Sequence, residues 1–569
     1  MLMKHLRLAT SAGAPIISIG PACCVFCVFD ASNVSLQPSL SLKSTIMAIE
    51  YLDGQILVRG IAVTLILVLV CQFFRDLADG FPYWNIPIIG RGRWELSNAK
   101  AKERYVSSAK ELVEQGFSEG NTVFQMMFDH APVIVLHPCY IDEIKNSPHL
   151  SFTESSKKMF FGVKIPGFEP FDGGDDKYNL VREMVGKKLT YQVLGSLIFP
   201  LSRETAAVLN ENLPKSNEWQ PFILGLEVPY IVARLSSLVF LGENICRDKG
   251  WLNVSVNYAT DGFHAARNLR LWPAILRPWV HWFMPSMQRL RKHIVVANEI
   301  IQREMHRRDM IRQGKVLEND HSRMHEDALD WLAEVANGRP LNMTRSQISM
   351  SLAAIHTSSN LVLNIMYDLI AYPEYIQPLR DEIKAVLEED GVLKKSSLLK
   401  MKKLDSVMKE TQRLNPVSLA FLNRIATEDI TLSNGTHIPK GATLTVSAHT
   451  MQDEAVYPNA NTYDGFRFYN MRQIPGNEHR FQLVSTSPEH LGFGHGLHAC
   501  TGRFFAATEI KILLIHLLMK YDWKFADRTG RPKSFMYGME IIGDQTVKLL
   551  YKARQPEVDL ARLGEGILE

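Results

Sequence analysis

Hydrophobic residues fall along this chain in three textures, each predicting a different kind of element. The first is a continuous run, Gln55 to Phe74, reading QILVRGIAVTLILVLVCQFF. A helix needs about 20 apolar residues to cross a bilayer. Arg59 interrupts the run near its start, where a long side chain can snorkel to the interface, and Arg75 and Asp76 close it. The density of Ile, Leu and Val favours a transmembrane helix at 55–74 over a buried core helix. Upstream, residues 1–54 hold a second apolar patch, PIISIGPACCVFCVF, short and broken by proline, which reads as a leader or lumenal segment. Met47 would open a more economical chain, with the apolar run near its start. Downstream, the prolines of FPYWNIPIIG (Phe81–Gly90) resist helix and predict a stiff hinge over 75–90.

The second texture is helical periodicity, which dominates the remaining body, 91–569. Thr344-Arg345-Ser346-Gln347 has the pattern of a capping box, apolar residues continue to about Ile370, and Pro373 stops the run. Such a helix is roughly 40 Å long. Its middle, SMSLAAIHTSSNLVLNIM, is apolar almost all round, as expected of a helix that crosses the core. A shorter helix is predicted over Lys402–Leu414, with Leu404, Val407, Met408 and Leu414 at helical spacing and Pro416 ending it. A last clear helix begins beside Cys500 and runs through FFAATEIKILLIHLLMK. The third texture is strand-like: ITL, the turn Ser433-Asn434-Gly435, HIP, then TLTV, with Asn-Gly a hairpin signal. The pattern therefore predicts a mainly α body with small β-sheets.

Composition changes this picture little. The chain has 569 residues, 46% hydrophobic and 22% charged, ordinary for a globular protein with ample length for a large core. Length alone suggests several domains. A formal net charge of +3, with no basic tract interleaved with aromatics, gives no reason to expect a nucleic-acid partner. Seven cysteines, an odd and sparse set, argue against a disulfide framework. Cys23, Cys24 and Cys27 look like half of a metal site, but no second half follows.

The candidate chemistry lies in FGHGLHACTGRFFA, Phe493 to Ala506. Cys500 stands just before a strong helical run, where free backbone N–H groups and the positive end of the helix dipole favour a thiolate. Gly494, Gly496 and Gly502 permit turns and close approach that side chains would block. The string resembles the ligand loop of the cytochrome P450 family, F-G-x-G-x-[R/H]-x-C-x-G, matched at Phe493, Gly494, Gly496, His498, Cys500 and Gly502. Thr501 stands where many members carry proline. Three further strings agree. ETQR (Glu410–Arg413) matches the E-x-x-R signature, and YDGFRF (Tyr463–Phe468) resembles the segment that supplies a third member, here Arg467. AAIHTSS (Ala353–Ser359) resembles the oxygen-binding groove, with Thr357 in place and His356 where an acid is commoner.

The resemblance covers roughly Phe81 to Arg554 and replaces the several-domain expectation. It implies a single triangular helical domain, preceded by the transmembrane helix and held on the cytosolic face of the endoplasmic reticulum. It implies haem b as cofactor, with Cys500 as the axial ligand of the iron and a buried Glu410–Arg413–Arg467 network as structural support. For the haem propionates it offers His498, Arg424 and Arg182, the last from YNLVREMVGKKLT, where Lys187 competes for the role. The implied reaction consumes R–H, O2, two electrons and two protons and yields R–OH and water. Electrons would come from NADPH-cytochrome P450 reductase, with cytochrome b5 a second donor, because no dinucleotide fingerprint occurs here. Thr357 would meet dioxygen, and His356 either supplies protons through it or packs against a neighbouring helix, bonding a carbonyl. The substrate would be an apolar small molecule. AAIHTSS, AYPEYIQPLRDEI, DGFRF and LGFGHGLHACTGRFFAA are similar to fungal secondary-metabolism members that oxidise terpenoids, such as gibberellin-pathway kaurene oxidases. Alternatives are an alkaloid or polyketide substrate, a haem-thiolate isomerase or dehydratase, and a non-catalytic haem binder.

Overall fold

Helices supply most of the body because most of its segments carry one broad apolar face. The computed structural model describes residues 80–558, except 96, 173–177, 190 and 316–325, together with positions 60, 62–64, 66, 67 and 70. Those seven positions, all within the apolar run, are helical, and Val63, Ile66, Leu67 and Val70 are exposed. The rest of the 55–74 run and the expected leader at 1–54, with Cys23, Cys24 and Cys27, lie outside the described residues. Among the described residues one helix, Leu224–Leu241, is long and apolar enough to cross a membrane, but it is mostly buried inside the body.

Eight helices position the site: α1 (Leu180–Lys188), α2 (Tyr191–Asn212), α3 (Leu224–Leu241), α4 (Lys249–Arg270), α5 (Pro285–Arg312), α6 (Met343–Ala371), α7 (Lys402–Leu414) and α8 (Arg503–Lys520). The long core helix is α6, and it packs on α3, α4, α5, α7 and α8. Its cap differs from the expected box. Asn342 is the N-cap, its side chain accepting from Arg345 N at 2.9 Å, while Thr344 donates to Asn298. An Asn one residue before the helix outcompetes the Thr inside it, because only a residue outside the helix can turn its side chain back on the free N–H groups. One large apolar cluster joins α2, α3, α6 and α8.

The sheets stand beside this helical mass. Strands β1 (Ile88–Ile89), β2 (Val123–Met127), β3 (Pro132–Leu136), β4 (Leu150–Ser151), β5 (Ala420–Ala426) and β6 (Thr443–Ser447) form one sheet in the order β1-β2-β3-β6-β5-β4. The expected Asn-Gly hairpin is present, pairing Ile430–Thr431 with His437–Ile438, but TLTV leaves it and becomes β6, parallel to β3 and antiparallel to β5. Pairing of β3 with a strand some 300 residues away cannot be read from local pattern. The proline-rich segment Phe81–Gly90 makes specific contacts with this sheet. Gln125 of β2 accepts from Tyr83 N at 2.7 Å and donates to the carbonyls of Tyr83 and Ile86, and Ile88–Ile89 completes the sheet edge.

Beneath the site, α7 carries a fully buried ion network. Glu410 receives two hydrogen bonds from Arg413, at 2.7 and 2.8 Å, and one from Arg467 at 3.1 Å. The spare guanidinium donors are satisfied too: Arg413 by the Met451 carbonyl at 2.6 Å, and Arg467 by Pro458, Asn459 and Thr462. Asp464 N closes the ring on Glu410 at 3.2 Å. Removing one member leaves a buried charge without its partner, at a cost of about 3–5 kcal/mol. Arg413→Ala and Glu410→Ala should each lose that much in chemical denaturation and retain little haem; wild-type denaturation midpoints in both would show the network to be dispensable.

Candidate active site

The loop that presents Cys500 is built from backbone bonds and two left-handed glycines. Cys500 N donates to Phe493 O at 2.8 Å, and Gly494 N to Leu491 O at 2.7 Å. Gly494 and Gly496 have φ of 68° and 77°, and a Cβ on Gly496 would come within 2.7 Å of Lys145. Gly502 differs from expectation. Its φ is −84° and an added Cβ would meet nothing within 4 Å, so neither backbone nor protein neighbours demand glycine there.

Immediately after the loop α8 begins, and the N–H groups of Gly502 and Arg503 lie near enough to the Cys500 sulfur to favour its anion. Burial nevertheless pushes the thiol above its ordinary value, with those donors and the Arg503 charge opposing it. The expected thiolate is thus not stabilised by the helix start alone, since desolvation of the anion outweighs two N–H donors. A bound cation reverses that balance, because a metal-coordinated thiol is deprotonated outright.

Cys500 is enclosed by protein yet accessible. So are Ala353 and Thr357, one turn apart in α6, although Ile355, Ser358 and Ser359 beside them are buried. Accessible positions amid a buried stretch mean that this side of α6 borders an open space. Leu352, Ala354 and Phe493 border the same main core.

Three basic groups converge beside the loop. Arg182 of α1 donates to His498 Nδ1 at 3.0 Å and to the carbonyl of Leu497. Arg424 is buried on β5 just past a register shift at Phe421, and it feels the Arg182 charge. Burial, then repulsion from Arg182, pushes Arg424 down to about 10. Burial, then Arg424 and Arg182, pushes His498 down to about 4. Among the described residues none of the three pairs with a carboxylate, so the cluster suits a ligand bearing carboxylates. Lys187, the competitor for Arg182, instead pairs with Glu183 at 2.6 Å.

His356 and Thr357 separate in role. His356 Nε2 meets the Val256 carbonyl of α4 at 2.7 Å, which fixes its proton on that nitrogen and packs α6 against α4. That bond commits the Nε2 donor to the α6–α4 contact, and burial lowers the pKa of the ring, both of which favour the packing reading over proton supply. Thr357 donates back to Ala353 O at 2.8 Å, leaving its oxygen lone pairs toward the open side.

An accessible cysteine sulfur at a helix start, accessible positions on α6 and a basic cluster suited to propionates together fit a haem-thiolate protein. A family model described as Cytochrome P450 matches residues 106–549, and the chain belongs to that family. It is similar to cytochrome P450 monooxygenases of Penicillium ochrochloron (ptmU; 38% identical, covering 84% of this chain and 94% of that protein) and Aspergillus terreus (trt6; 39%, 83% and 95%). It is likewise similar to one of Fusarium sporotrichioides (TRI1; 37%, 82% and 85%). A solved structure described as retinoic-acid-bound cyanobacterial CYP120A1 aligns with a TM-score of 0.61 over 84% of this chain and 100% of that chain, at 17% identity, and so supports the fold. Haem b is the cofactor of this family, and the chain is a cytochrome P450 monooxygenase.

The His356 bond generates a test. His356→Ala should cost about 1–2 kcal/mol. The folded pKa lies below the unfolded one, so wild type loses stability as pH falls below about 6.5, and the variant should lose less there. Urea midpoints over about pH 5 to 8 check both signs.

Proposed function

We propose that this protein inserts one oxygen atom of O2 into a C–H bond of an apolar small molecule, with Cys500 as the thiolate that would ligate the haem iron. The observation that carries the reading is the accessible Cys500 sulfur at the start of α8, next to N–H groups that favour its anion. Bound haem supplies the oxygen activation, which a thiolate ligand promotes by donating electron density. The chain's own residues do the rest. Arg182, Arg424 and His498 would hold the propionates, and Glu410, Arg413 and Arg467 keep the supporting helix in place. Gly494 and Gly496 shape the loop, and Phe493 packs beside it. Thr357 accepts and returns a proton at the oxygen-binding position, its hydroxyl already poised on the Ala353 carbonyl.

The likeness to fungal relatives supports a substrate from fungal secondary metabolism, with a terpenoid skeleton first. The apolar run at 55–74 supports a single-pass anchor in the endoplasmic reticulum, the catalytic body in the cytosol, and electrons from NADPH-cytochrome P450 reductase, with cytochrome b5 a second donor.

Microsomes holding the protein and a reductase should form hydroxylated product only with NADPH, and their reduced carbon-monoxide complex should show the long-wavelength band of thiolate ligation. Cys500→Ala should abolish that band; product without NADPH would instead assign an isomerase or dehydratase. Thr357→Ala should divert most consumed NADPH to hydrogen peroxide, whereas His356→Ala should stay coupled. A shortened chain beginning at Met47 should remain in the membrane pellet and keep its activity, and its release to the supernatant would place the anchor upstream.

A further inference from the structure

The strand-free segment Gln482–Ser485 lies shortly before the Cys500 loop, and it has no ladder to satisfy its backbone. Four consecutive residues are tied instead by three charged side chains. Lys409 Nζ donates to the carbonyls of Gln482 and Ser485, at 3.0 and 3.1 Å. Asp405 accepts from Leu483 N at 2.9 Å. Arg503 Nε donates to Val484 O at 3.1 Å, and its Nη1 donates to the carbonyl of Cys500 itself at 2.8 Å. Asp405 also pairs with Lys511 of α8 at 2.6 Å and faces Arg472 at 3.6 Å.

Asp405 and Lys409 are four residues apart, so they share one face of α7. Glu410 and Arg413, which hold the ion network, occupy the adjoining face. Lys409 is 2% exposed, and its Nζ lies 5.3 Å from the Phe468 ring. Burial pushes the ammonium down to about 7, with only Asp405 opposing. A long, flexible point donor in so dry a place is costly, and its one evident return is the two carbonyls it reaches.

We propose that Lys409, with Asp405, is a positioning residue for the Cys500 sulfur, clamping Gln482–Ser485 as the abutment against which Arg503 braces the first turn of α8. The N–H groups of that turn, on Gly502 and Arg503, are the ones that favour the sulfur's anion, and Arg503 is tied to the Cys500 carbonyl. If the abutment yields, Arg503 loses its Val484 anchor and those N–H groups drift from the sulfur. Weaker N–H···S bonds leave more charge on sulfur and lower the reduction potential of a bound iron. The inference rests on Cys500 being the haem ligand.

The test uses full-length holoenzyme and two readouts besides turnover: the haem reduction potential, and the fraction of the reduced carbon-monoxide complex with the thiolate-type band. Lys409→Met keeps the apolar stem and removes the donor. It should shift the potential to more negative values and lose a large part of the thiolate-type fraction, and Lys409→Gln, which keeps a shorter donor, should fall between. Glu509→Ala is the control. Glu509 is buried on α8 and bonded to Ser236 at 2.7 Å, with no tie to Gln482–Ser485, so its variant should lose stability while keeping the wild-type potential. A Lys409→Met holoenzyme with wild-type potential and full thiolate-type fraction overturns the proposal. So does an equal shift in Glu509→Ala, or failure of both Lys409 variants to bind haem, either of which reduces Lys409 to a folding role. Absence of the thiolate-type band in wild type would instead sink the Cys500 assignment, a separate outcome.

Discussion

A single buried carboxylate, Glu410, organises the half of the molecule that faces the haem loop. Its oxygens receive Arg413 from the same helix, Arg467 from a segment more than 50 residues on, and the Asp464 amide. Such a network stabilises little by itself, since desolvating three charges costs nearly what their attraction returns. Its effect is to specify. Each guanidinium nitrogen not bonded to Glu410 is aimed at a named carbonyl, of Met451, Pro458, Asn459 or Thr462, so the chain between β6 and the Cys500 loop, with only short helical turns, is fastened without a sheet ladder. An apolar residue in place of Glu410 could fill the volume but could not orient Arg413 and Arg467 toward those carbonyls.

The same helix carries a second set of fastenings one face round. Asp405 and Lys409 tie the stretch closest to the loop, and Arg503 carries that tie to the carbonyl of Cys500. The loop is therefore held from below by charge-assisted bonds and from within by Gly494 and Gly496. The sulfur itself sits where burial disfavours its anion, so the protein supplies geometry and donors while a bound cation supplies the charge. Arg182, Arg424 and His498 show the converse. Arg182 and Arg424 repel each other and, with burial, push the His498 ring down, a state that an anionic ligand would relieve.

On the α6 side, polar atoms near the open space are few. His356 turns away to Val256, and Thr357 keeps its hydroxyl on Ala353. A reaction in which two protons reach oxygen in a dry pocket would thus depend on a hydroxyl relay rather than on an acid in the preceding position.

Local signals determined much of this. The period of apolar residues located α6 and α7, with α7 matched at both ends, because helix formation depends on neighbours three and four residues apart. The Cys500 string and the Glu410–Arg413 spacing named the site, because ligand loops and i,i+3 pairs are contiguous in sequence. Tertiary structure decided whatever required a distant partner. It set β6 beside β3, made Asn342 rather than Thr344 the cap of α6, drew Tyr83 onto β2 and turned His356 to a carbonyl of α4. It also brought Lys409 onto Gln482 and Ser485. A buried charge leaves no periodic mark in the sequence. Only the fold states which carbonyl it meets and how little water remains around it.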